Sequence, residues 1–528
     1  MGTYLNPGNS GFATIKDKDY IDKTGLIRLI NDTIDTSSKL TCISRPRRFG
    51  KSYAAQMLCA YYDYTCDSHS LFEGLEISKS DDYEKFINKY NVIYIDITGL
   101  LSELNGEGKD LINFVPLLKK DIIRDLCKAE SRVDDTRRLS ECLLDYVEYT
   151  GKKIVFIIDE WDALIREAKK NDKVQIGYLN FLREIFKNGN ITPRVVAGAY
   201  MTGILPIKKD GTESAISDFN EYSILNPGVF TEYTGFLEKE VCQICSDKGL
   251  NPQLFKEWYD GYLFDKGTSI YNPYSVMQAV SRNSFESYWQ KTTAAESLVT
   301  YISMNFAGLQ DDIARLITGE HLEVDISGFS NDVETFKTKD DVLTLLIHLG
   351  YLAFDSITHK ARIPNEEIKT EFVALLKNSS KSELAKLVTQ SDTLLQDTIE
   401  QNEEKVAKTI DDIRMSEYAP TFYNDEQALR YVIKFAYLTC VDKYSKIEEL
   451  PSGKGVADVV YIPQKTTADP ALVIELKWNK TAEAAISQIE NKNYPEIIKA
   501  FSGDILMVGI NYDEKTKRHS CKINRLQK

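Results

Sequence analysis

A phosphate-binding loop is predicted where an apolar segment runs into a tight turn and a short motif, Gly50-Lys51-Ser52, opens a predicted helix. Glycine lets backbone N–H groups approach phosphate oxygens, lysine neutralises their charge, and the serine hydroxyl can bind Mg²⁺. A full P-loop pattern also asks for glycine at position 45, where the chain has Arg45. The motif is therefore half of a P-loop, and Gly-Lys-Ser also occurs by chance in many proteins. The candidate nucleotide-binding residues of this loop are Arg48, Phe49, Gly50, Lys51 and Ser52.

Two adjacent carboxylates stand at the end of a second stretch. Residues Ile154–Ile158 form a continuous apolar run, which is typical of a strand buried on both faces of a parallel sheet. The run ends in Asp159 and Glu160. An aspartate at that point can hold Mg²⁺ opposite Ser52, and the adjacent glutamate can polarise the attacking water. The alternative is a solvent-facing acidic pair at a strand end, and the P-loop upstream favours the functional interpretation.

The elements around these residues predict the sheet that positions them. Strands alternate with helices, which indicates a parallel α/β sheet whose active groups gather at the carboxyl ends of the strands. Lys51, Asp159 and Thr202 all fall at such ends. Thr202 could contact the γ-phosphate or the attacking water, or it could be a strand-end threonine that satisfies a turn. The other predicted strands are Lys39–Ser44, Val92–Ile97 and Arg194–Gly203.

Length and composition limit the possible classes of protein. At 528 residues the chain should form two to four domains, and no apolar run approaches the length of a membrane span. The N-terminal residues lack the basic and apolar regions of a signal peptide. Nine scattered cysteines, an odd number, indicate reduced thiols and a cytoplasmic location rather than a disulfide framework or a zinc site. A net charge of −14 excludes a uniformly basic nucleic-acid-binding protein.

The pattern changes after the first sheet. Short helices and aromatic clusters follow, and such clusters are most often core. An apolar helix at Val342–Leu349 with Ala361–Asn365 after it could be the helix and wing of a winged-helix module. A polar, helix-prone connector then precedes the last domain. The predicted domains are a P-loop α/β domain (1–234), a helical or winged-helix-like region (235–378), a helical connector (379–415) and an α/β domain (416–528).

A second candidate site lies on a predicted hairpin in the last domain. The strands are Gly455–Pro463 and Ala471–Trp478, with a turn between them. Alternate residues share one face of a strand, so Glu475 and Lys477 should point the same way while Ile474 and Leu476 face the core. Asp458 on the neighbouring strand can lie within a few ångströms of Glu475.

Two carboxylates and a lysine in one pocket form a site for a hard cation. Asp458 and Glu475 could hold Mg²⁺ or Mn²⁺, and Lys477 could orient the nucleophile or neutralise a phosphodiester under attack. The alternative is a cross-strand salt bridge on a solvated face. Gln488, on the following helix, and Glu426, which begins the preceding helix, could join the site, although helix surface and N-terminal capping are equally plausible for them. Six basic residues could supply the local basic patch for nucleic acid, although solvated charge is the default for each: Lys480, Lys492, Lys515, Lys517, Arg518 and Lys522.

Together these motifs resemble a bacterial family of AAA-ATPase-like proteins that carry a C-terminal PD-(D/E)XK nuclease domain. The resemblance covers nearly the whole chain. It implies ATP and Mg²⁺ in the first domain and a restriction-endonuclease-like core in the last, with Asp458, Glu475 and Lys477 in the motif positions. Two departures are Arg45 with Pro46, which leave fewer N–H donors for phosphate, and Ala457, where proline is common. The motifs that carry the resemblance are Arg45–Ser52, Tyr20–Thr24, Asp159–Asp162, Trp258–Tyr262 and Tyr271–Pro273.

The leading hypothesis is an ATP-regulated, metal-dependent nuclease, for which DNA rather than RNA is the expected target. A second is a signalling or scaffold ATPase whose nuclease-like domain binds nucleic acid or protein without cleaving. A third is an ATP-dependent remodelling protein, which would need Glu160 but no cleavage site. A homo-oligomer, such as an AAA ring, and a monomeric switch both remain open. No trans-acting arginine can be assigned, because Arg166, Arg183 and Arg194 are all unremarkable choices.

Overall fold

The structure, a computed structural model, forms two compact units that are described separately below. The first unit comprises Met1–Phe285 with Val324–Ala361, and the second comprises Glu286–Glu323 with Arg362–Lys528. The four-part domain division stays a prediction. The described residues are 2–16, 19–168, 171–207, 216–264, 267–289, 306–317, 319–329, 336–378, 383–415, 426–442, 444–452, 455–463, 469–491 and 503–526.

The first unit is built on a five-stranded parallel sheet. The strand order is β2-β3-β4-β1-β5. Every pair is parallel, so the carboxyl ends of the strands share one edge. The predicted α/β fold is therefore confirmed. The strands are β1 (Leu40–Ser44), β2 (Asn91–Asp96), β3 (Ile154–Asp159), β4 (Val196–Gly203) and β5 (Asn220–Tyr222).

Apolar layers cover both faces of this sheet. Every residue of β1, β3 and β4 is buried. In β3, Ile154, Phe156 and Ile158 belong to one hydrophobic cluster, whereas Val155 and Ile157 belong to the cluster on the other face. This two-sided burial is why the strand has no polar alternation, and it makes a rigid base for the carboxylates that follow β3.

Helices flank the sheet and connect its strands. Helix α3 begins at Lys51, the second residue of the Gly-Lys-Ser motif. The helices before β5 are α1 (Ser10–Ile15), α2 (Gly25–Asn31), α3 (Lys51–Tyr62), α4 (His69–Phe72), α5 (Tyr83–Phe86), α6 (Ile97–Gly106), α7 (Phe114–Ala129), α8 (Leu139–Thr150), α9 (Ala163–Glu167), α10 (Asp172–Phe186) and α11 (Thr192–Val195).

Past residue 235 the first unit continues as short helices around small antiparallel strands. Four aromatic residues of the predicted clusters are core, as expected, since Trp258, Tyr259, Tyr262 and Tyr271 are buried. A helix followed by a hairpin, the pattern predicted for a helix and wing, is present at α16, β10 and β11. The elements are β6 (Phe236–Leu237), α12 (Glu238–Lys248), α13 (Pro252–Tyr259), β7 (Tyr262–Phe264), β8 (Thr268–Tyr271), α14 (Pro273–Arg282), α16 (Lys339–Leu349), β10 (Ala353–Asp355) and β11 (Lys360–Arg362).

All nine cysteines lie in the described part of the chain, and all are free thiols. Cys242 and Cys245 stand at CxxC spacing on α12, the first exposed and the second buried. Burial raises the pKa of the Cys245 thiol to about 11. Across the described ranges no cluster of three histidine, cysteine or acidic side chains is arranged to hold a metal ion. None of the described helices is both long and apolar enough to cross a membrane.

The second unit contains a five-stranded mixed sheet. Its order is β12-β13-β14-β15-β16, with β14 and β15 parallel and the other pairs antiparallel. The predicted hairpin is confirmed as β13 and β14, within its predicted bounds. The strands of the second unit, which also include the short strand β9, are β9 (Leu322–Glu323), β12 (Tyr444–Ser452), β13 (Gly455–Pro463), β14 (Ala471–Trp478), β15 (Ile505–Asp513) and β16 (Arg518–Leu526).

Helix α21 lies on the chain between the parallel strands β14 and β15 and packs closely on the sheet. At Gly509 of β15, an added Cβ would meet the Ala482 carbonyl oxygen at 2.4 Å and the Ala485 Cβ at 2.9 Å. The missing side chain therefore sets how near the helix can approach. The helices of the second unit are α15 (Leu309–Ile317), α17 (Glu366–Asn378), α18 (Glu383–Ile399), α19 (Glu403–Arg414), α20 (Glu426–Ala436) and α21 (Ala482–Asn491).

Replacing Gly509 with alanine should lower the free energy of unfolding, because the new methyl group would collide with the α21 backbone. Overpacking of this kind typically costs about 1–3 kcal/mol. Urea denaturation of the full chain, followed by circular dichroism, measures the loss. The control is Gly177→Ala on α10, where nothing lies within 4 Å of the added Cβ. Equal stability of Gly509→Ala and wild type would contradict the close packing.

Candidate functional site

A cavity of about 910 Å³ opens at the P-loop in the first unit. The predicted loop residues line it, and Glu160 lies on its wall. Apolar and aromatic side chains also line it, including Tyr20, Tyr274 and Met277. The lining therefore combines phosphate-binding groups with apolar surface that suits a flat group such as a nucleobase. The predicted residues on its wall are Arg48, Phe49, Gly50, Lys51, Ser52 and Glu160.

The P-loop gains its shape from two residues in the left-handed region. Arg48 has φ of 72° and Gly50 has φ of 83°. Space is not the reason for glycine at position 50, since an added Cβ there would meet nothing within 4 Å. The reason is backbone conformation, which an L side chain adopts only at a cost. Gly50 then caps α3, whose first N–H groups are directed toward the cavity as expected of a phosphate site.

Lys51 is 4% exposed, and its ammonium group finds its partners within the P-loop and on Glu160. Its Nζ donates to the carbonyl oxygens of Arg45 at 3.1 Å and Pro46 at 3.0 Å. The same Nζ lies 3.4 Å from Oε1 of Glu160. A buried ammonium group requires such partners, and entering phosphates could replace them.

Asp159, Ser52 and Thr202 meet at the base of the site. Asp159 is 3% exposed and accepts hydrogen bonds from the hydroxyls of Thr202 and Ser52. Burial raises the pKa of Asp159, while those two bonds oppose the rise. A carboxylate beside a hydroxyl supplies the hard oxygen donors that Mg²⁺ prefers, so these residues fit the ion.

Thr202 is fully buried and satisfies the turn that follows β3. Its Oγ accepts the Glu160 backbone N–H at 3.2 Å, and its hydroxyl donates to Asp159. This arrangement is the structural alternative that the sequence left open. The role of Thr202 as a sensor of the γ-phosphate stays a prediction.

Glu160 is held by positive charge on both oxygens. Besides the contact with Lys51, its Oε2 accepts a hydrogen bond from Nη2 of Arg166 at 3.0 Å. Burial acts to raise the pKa of Glu160, but the charges of Lys51, Arg166 and Arg47 outweigh it and hold the pKa below its usual range. Its backbone is left-handed, with φ of 55°, which turns the side chain toward the cavity. These contacts therefore keep this carboxylate ionised and paired.

Sequence reasoning did not single out Arg166. It lines the cavity, and its Nε donates to Asp162 Oδ2 at 2.9 Å. The available signal was the i,i+4 spacing of Asp162 and Arg166 directly after the acidic pair, which places both on one side of a helix. Arg183 and Arg194, the other arginines considered, do not line this cavity.

Arg45 takes no part in the wall of the cavity and supports the loop from behind. It is fully buried and donates to Thr234 Oγ1 at 2.9 Å and to the Tyr222 carbonyl oxygen at 2.8 Å. Its guanidinium lies 5.0 Å from the centroid of the Phe264 ring. Burial lowers the pKa of Arg45 to about 9. This arginine therefore ties the P-loop to the strands and turns that follow the parallel sheet.

Restoring the usual P-loop glycine with Arg45→Gly should destabilise the chain, because several buried hydrogen bonds and the packing on Phe264 would be lost. We expect a loss of about 2–4 kcal/mol in the free energy of unfolding. Arg48→Gly is the matched control, since Arg48 is only half-buried and already has a positive φ. Urea denaturation of both variants makes the comparison. A stable Arg45→Gly chain that binds nucleotide more tightly than wild type would contradict the supporting role.

The second candidate site is a buried acid–lysine pair on β14. Glu475 is 2% exposed and Lys477 is 6% exposed. Nζ of Lys477 donates to Glu475 Oε1 at 3.1 Å and to the Leu476 carbonyl oxygen at 2.8 Å. Gln488 on α21 donates its side-chain amide to the same Glu475 oxygen. The structure therefore brings together three of the residues predicted for this site, and the pair does not lie on a solvated face.

The other two predicted residues are placed by backbone alone. Val459 pairs with Ile474 in the antiparallel register. Asp458 and Glu475 are the next residues on their two strands, so the same register places their backbones opposite each other. Glu426 begins α20. The side chains of Asp458 and Glu426 lie outside the described part of the structure. Two carboxylates on one rung would fit a divalent cation, and their role as ligands stays a prediction.

One sequence expectation about β14 needs correction. Ile474 and Leu476 were expected to face the core, with Glu475 and Lys477 on the opposite face. All four are buried, and the Glu475 face carries its own core cluster, in which Val473 packs with Ile486. The reason is α21, which covers that face.

The structure describes five of the six residues in the predicted basic set. Lys522 forms an ion pair with Glu403 at 3.0 Å, and Lys492 lies outside the described residues. The remaining four are exposed: Lys480, Lys515, Lys517 and Arg518.

Comparison with known proteins agrees with this architecture. Residues 7–212 match the family described as predicted AAA-ATPase, and residues 424–521 match the PD-(D/E)XK nuclease superfamily. The chain therefore combines an AAA-ATPase-like domain with a PD-(D/E)XK nuclease superfamily domain, in that order. This confirms the resemblance inferred from the motifs.

Individual relatives are distant. The chain is 20% identical to an Azotobacter chroococcum mcd 1 protein described as an uncharacterized protein in the vnfD 5′ region, over 97% of this chain and 96% of the relative. Among solved structures, it is similar to the Aeropyrum pernix ORC2 protein in ADPNP–ADP complexes, with 13% identity, 70% and 98% coverage and a TM-score of 0.35. AMPPCP-bound DnaA from Aquifex aeolicus gives 9% identity, 72% and 90% coverage and a TM-score of 0.22. TM-scores this low carry no argument about this chain.

Proposed function

We propose that this protein hydrolyses ATP in its first unit and cleaves nucleic acid, with DNA as the proposed substrate, in its second unit. The observation that carries the proposal is a buried lysine–glutamate pair in each unit, Lys51 with Glu160 and Lys477 with Glu475. Buried ion pairs are costly to maintain, and in clefts they are candidates for function. The nine free thiols support an action in the cytoplasm.

In the first unit the chain's own residues would bind and orient the nucleotide. Lys51 and the N–H groups at the start of α3 would hold the phosphates, and the aromatic and apolar side chains of the lining would hold the base. Glu160 would accept a proton from a water molecule as the water oxygen bonds to the γ-phosphorus. The bond from that phosphorus to the β–γ bridging oxygen breaks, which gives ADP and inorganic phosphate.

In the second unit Glu475 and Asp458 would hold the metal, and Lys477 would face the phosphodiester. Water adds across one P–O ester bond, which leaves a phosphate monoester and a free hydroxyl. The positive charge of Lys477 stabilises the charge that builds on the phosphate oxygens. Gln488 orients Glu475 through its amide. In both units a bound Mg²⁺ would neutralise phosphate charge and lower the pKa of water.

We further propose that ATP controls the cleavage. The support is the joint presence of the two domains in one chain. ATP binding to Lys51, Ser52 and Asp159 would set the state of the first unit, and the second unit would cut in only one such state.

The direct test is cleavage of plasmid and single-stranded DNA by the full chain with Mg²⁺ or Mn²⁺, with and without ATP. Wild type should cut, and Glu475→Gln and Lys477→Ala should each lose at least about 100-fold in rate, because the site would lack a ligand or a charge. Lys51→Ala should lose the response to ATP while keeping the cleavage site intact. Each rate is measured from product bands over time.

Controls separate the two activities. Lys408→Ala removes an exposed lysine of the same unit that lies outside the predicted basic set, and it should cut as wild type does. ATP binding, measured by calorimetry, should survive in Glu475→Gln and fail in Lys51→Ala. An intact chain that binds ATP yet cuts no substrate under any condition would contradict the nuclease proposal and favour the scaffold hypothesis.

A further inference from the structure

Arg166 occupies a position in the first unit that the scheme above does not use. It lies on the wall of the same cavity as Lys51 and Ser52, and its guanidinium has two different neighbours. Nε donates to Asp162, whereas Nη2 donates to Glu160. One end of the guanidinium is therefore fixed to a structural carboxylate, and the other contacts the candidate catalytic carboxylate.

The Asp162 end is firmly anchored. The Asp162 side chain is 1% exposed, and it also accepts the backbone N–H groups of Ile204 at 3.2 Å and Leu205 at 3.1 Å. These bonds hold Asp162 against the end of β4 whether or not Arg166 is present. Asp162 can thus keep the arginine at the cavity while Nη2 exchanges one acceptor for another.

The Glu160 end competes with phosphate for the same cations. Glu160 has Lys51 on one oxygen and Arg166 on the other. Lys51 is the group that a P-loop offers to the β- and γ-phosphates. A carboxylate that pairs with two cations is a poor proton acceptor. Glu160 can therefore activate water only after both cations bind another anion. The entering triphosphate is that anion.

We infer that Arg166 binds the γ-phosphate of ATP within its own chain. This inference rests on the proposed ATP site and deepens it. Entry of the triphosphate draws Lys51 to the β- and γ-phosphates and Nη2 of Arg166 to the γ-phosphate, while Nε stays on Asp162. Glu160 loses both partners and becomes free to take the water proton.

Hydrolysis then needs no arginine from a second copy of the chain. An arginine on the γ-phosphate stabilises the charge of the transition state, and the planar guanidinium group matches the geometry of phosphate oxygens. The lysine, the two carboxylates and the arginine all belong to one unit of one chain. A single chain is therefore sufficient for turnover.

The test compares two probes, Mg²⁺-AMPPNP and Mg²⁺-ADP, in calorimetric titrations of the full chain. Arg166→Ala should weaken AMPPNP binding about 10- to 100-fold and leave ADP binding nearly unchanged, because only AMPPNP carries the γ-phosphate. Arg166→Lys keeps a cation and should show a smaller loss. Arg183→Ala, which removes an exposed arginine on α10, should bind both probes as wild type does. Melting temperatures confirm that each variant is folded.

A purely structural role for Arg166 predicts a different result. It would weaken both nucleotides equally or neither, and either outcome would overturn the inference. If wild-type protein binds neither nucleotide, the proposed ATP site is wrong as well. Failure of the Arg166 inference and failure of the ATP site can therefore be distinguished.

A mixing experiment tests the single-chain claim. Arg166→Ala should lower the turnover of ATP about 1000-fold or more. An equimolar mixture of Arg166→Ala and Lys51→Ala should be as inactive as the two alone. Recovery in the mixture would show that the arginine acts from a neighbouring chain and would overturn the inference.

Discussion

The burial of Lys51 is the constraint on which the first unit depends. An ammonium group that is almost entirely removed from water must have anions or carbonyl oxygens around it. Those partners are two P-loop carbonyls and Glu160. Each partner is also a group that a bound triphosphate would displace. The same requirement that stabilises these contacts therefore prepares Lys51 to exchange them for phosphate oxygens.

The surrounding fold supplies this arrangement through backbone geometry. Arg48, Gly50 and Glu160 all have positive φ, and two of them are not glycine. Such conformations cost about 1–3 kcal/mol each and persist only where the structure holds them, often at functional sites. Here the support comes from the doubly covered parallel sheet and from buried Arg45 behind the loop. The second unit uses a different device, since the absent side chain of Gly509 lets α21 bring Gln488 to Glu475.

Much of this was predictable from local patterns. The unbroken apolar run Ile154–Ile158 predicts a doubly buried strand, and the hairpin of β13 and β14 was predicted within the observed bounds. These predictions succeed because apolar patterns and strand ends depend on nearby residues only. The two acid–lysine clusters followed from motif spacing, although the catalytic roles of their residues stay predictions.

Contacts between distant segments were not predictable in the same way. Arg45 looked like a defect in a phosphate loop, whereas its partners are Thr234 and Tyr222, far along the chain. The sequence does not distinguish Arg166 from other helical arginines, because its contact with Glu160 depends on the positive φ of Glu160. The burial of the Glu475 face depends on how closely α21 approaches at Gly509. In each case the deciding fact is tertiary packing rather than residue type.

The central claim is that Glu160 and the phosphates of ATP compete for the same two cations, Lys51 and Arg166. The most direct measurement is the Kd of Mg²⁺-ATP, determined by calorimetry, for wild type and Glu160→Gln. Removing the competing charge should tighten binding by about tenfold, or roughly 1.4 kcal/mol. Glu167→Gln removes an equal charge from an exposed residue on the same cavity wall and should have little effect. Unchanged or weaker binding by Glu160→Gln would contradict the account.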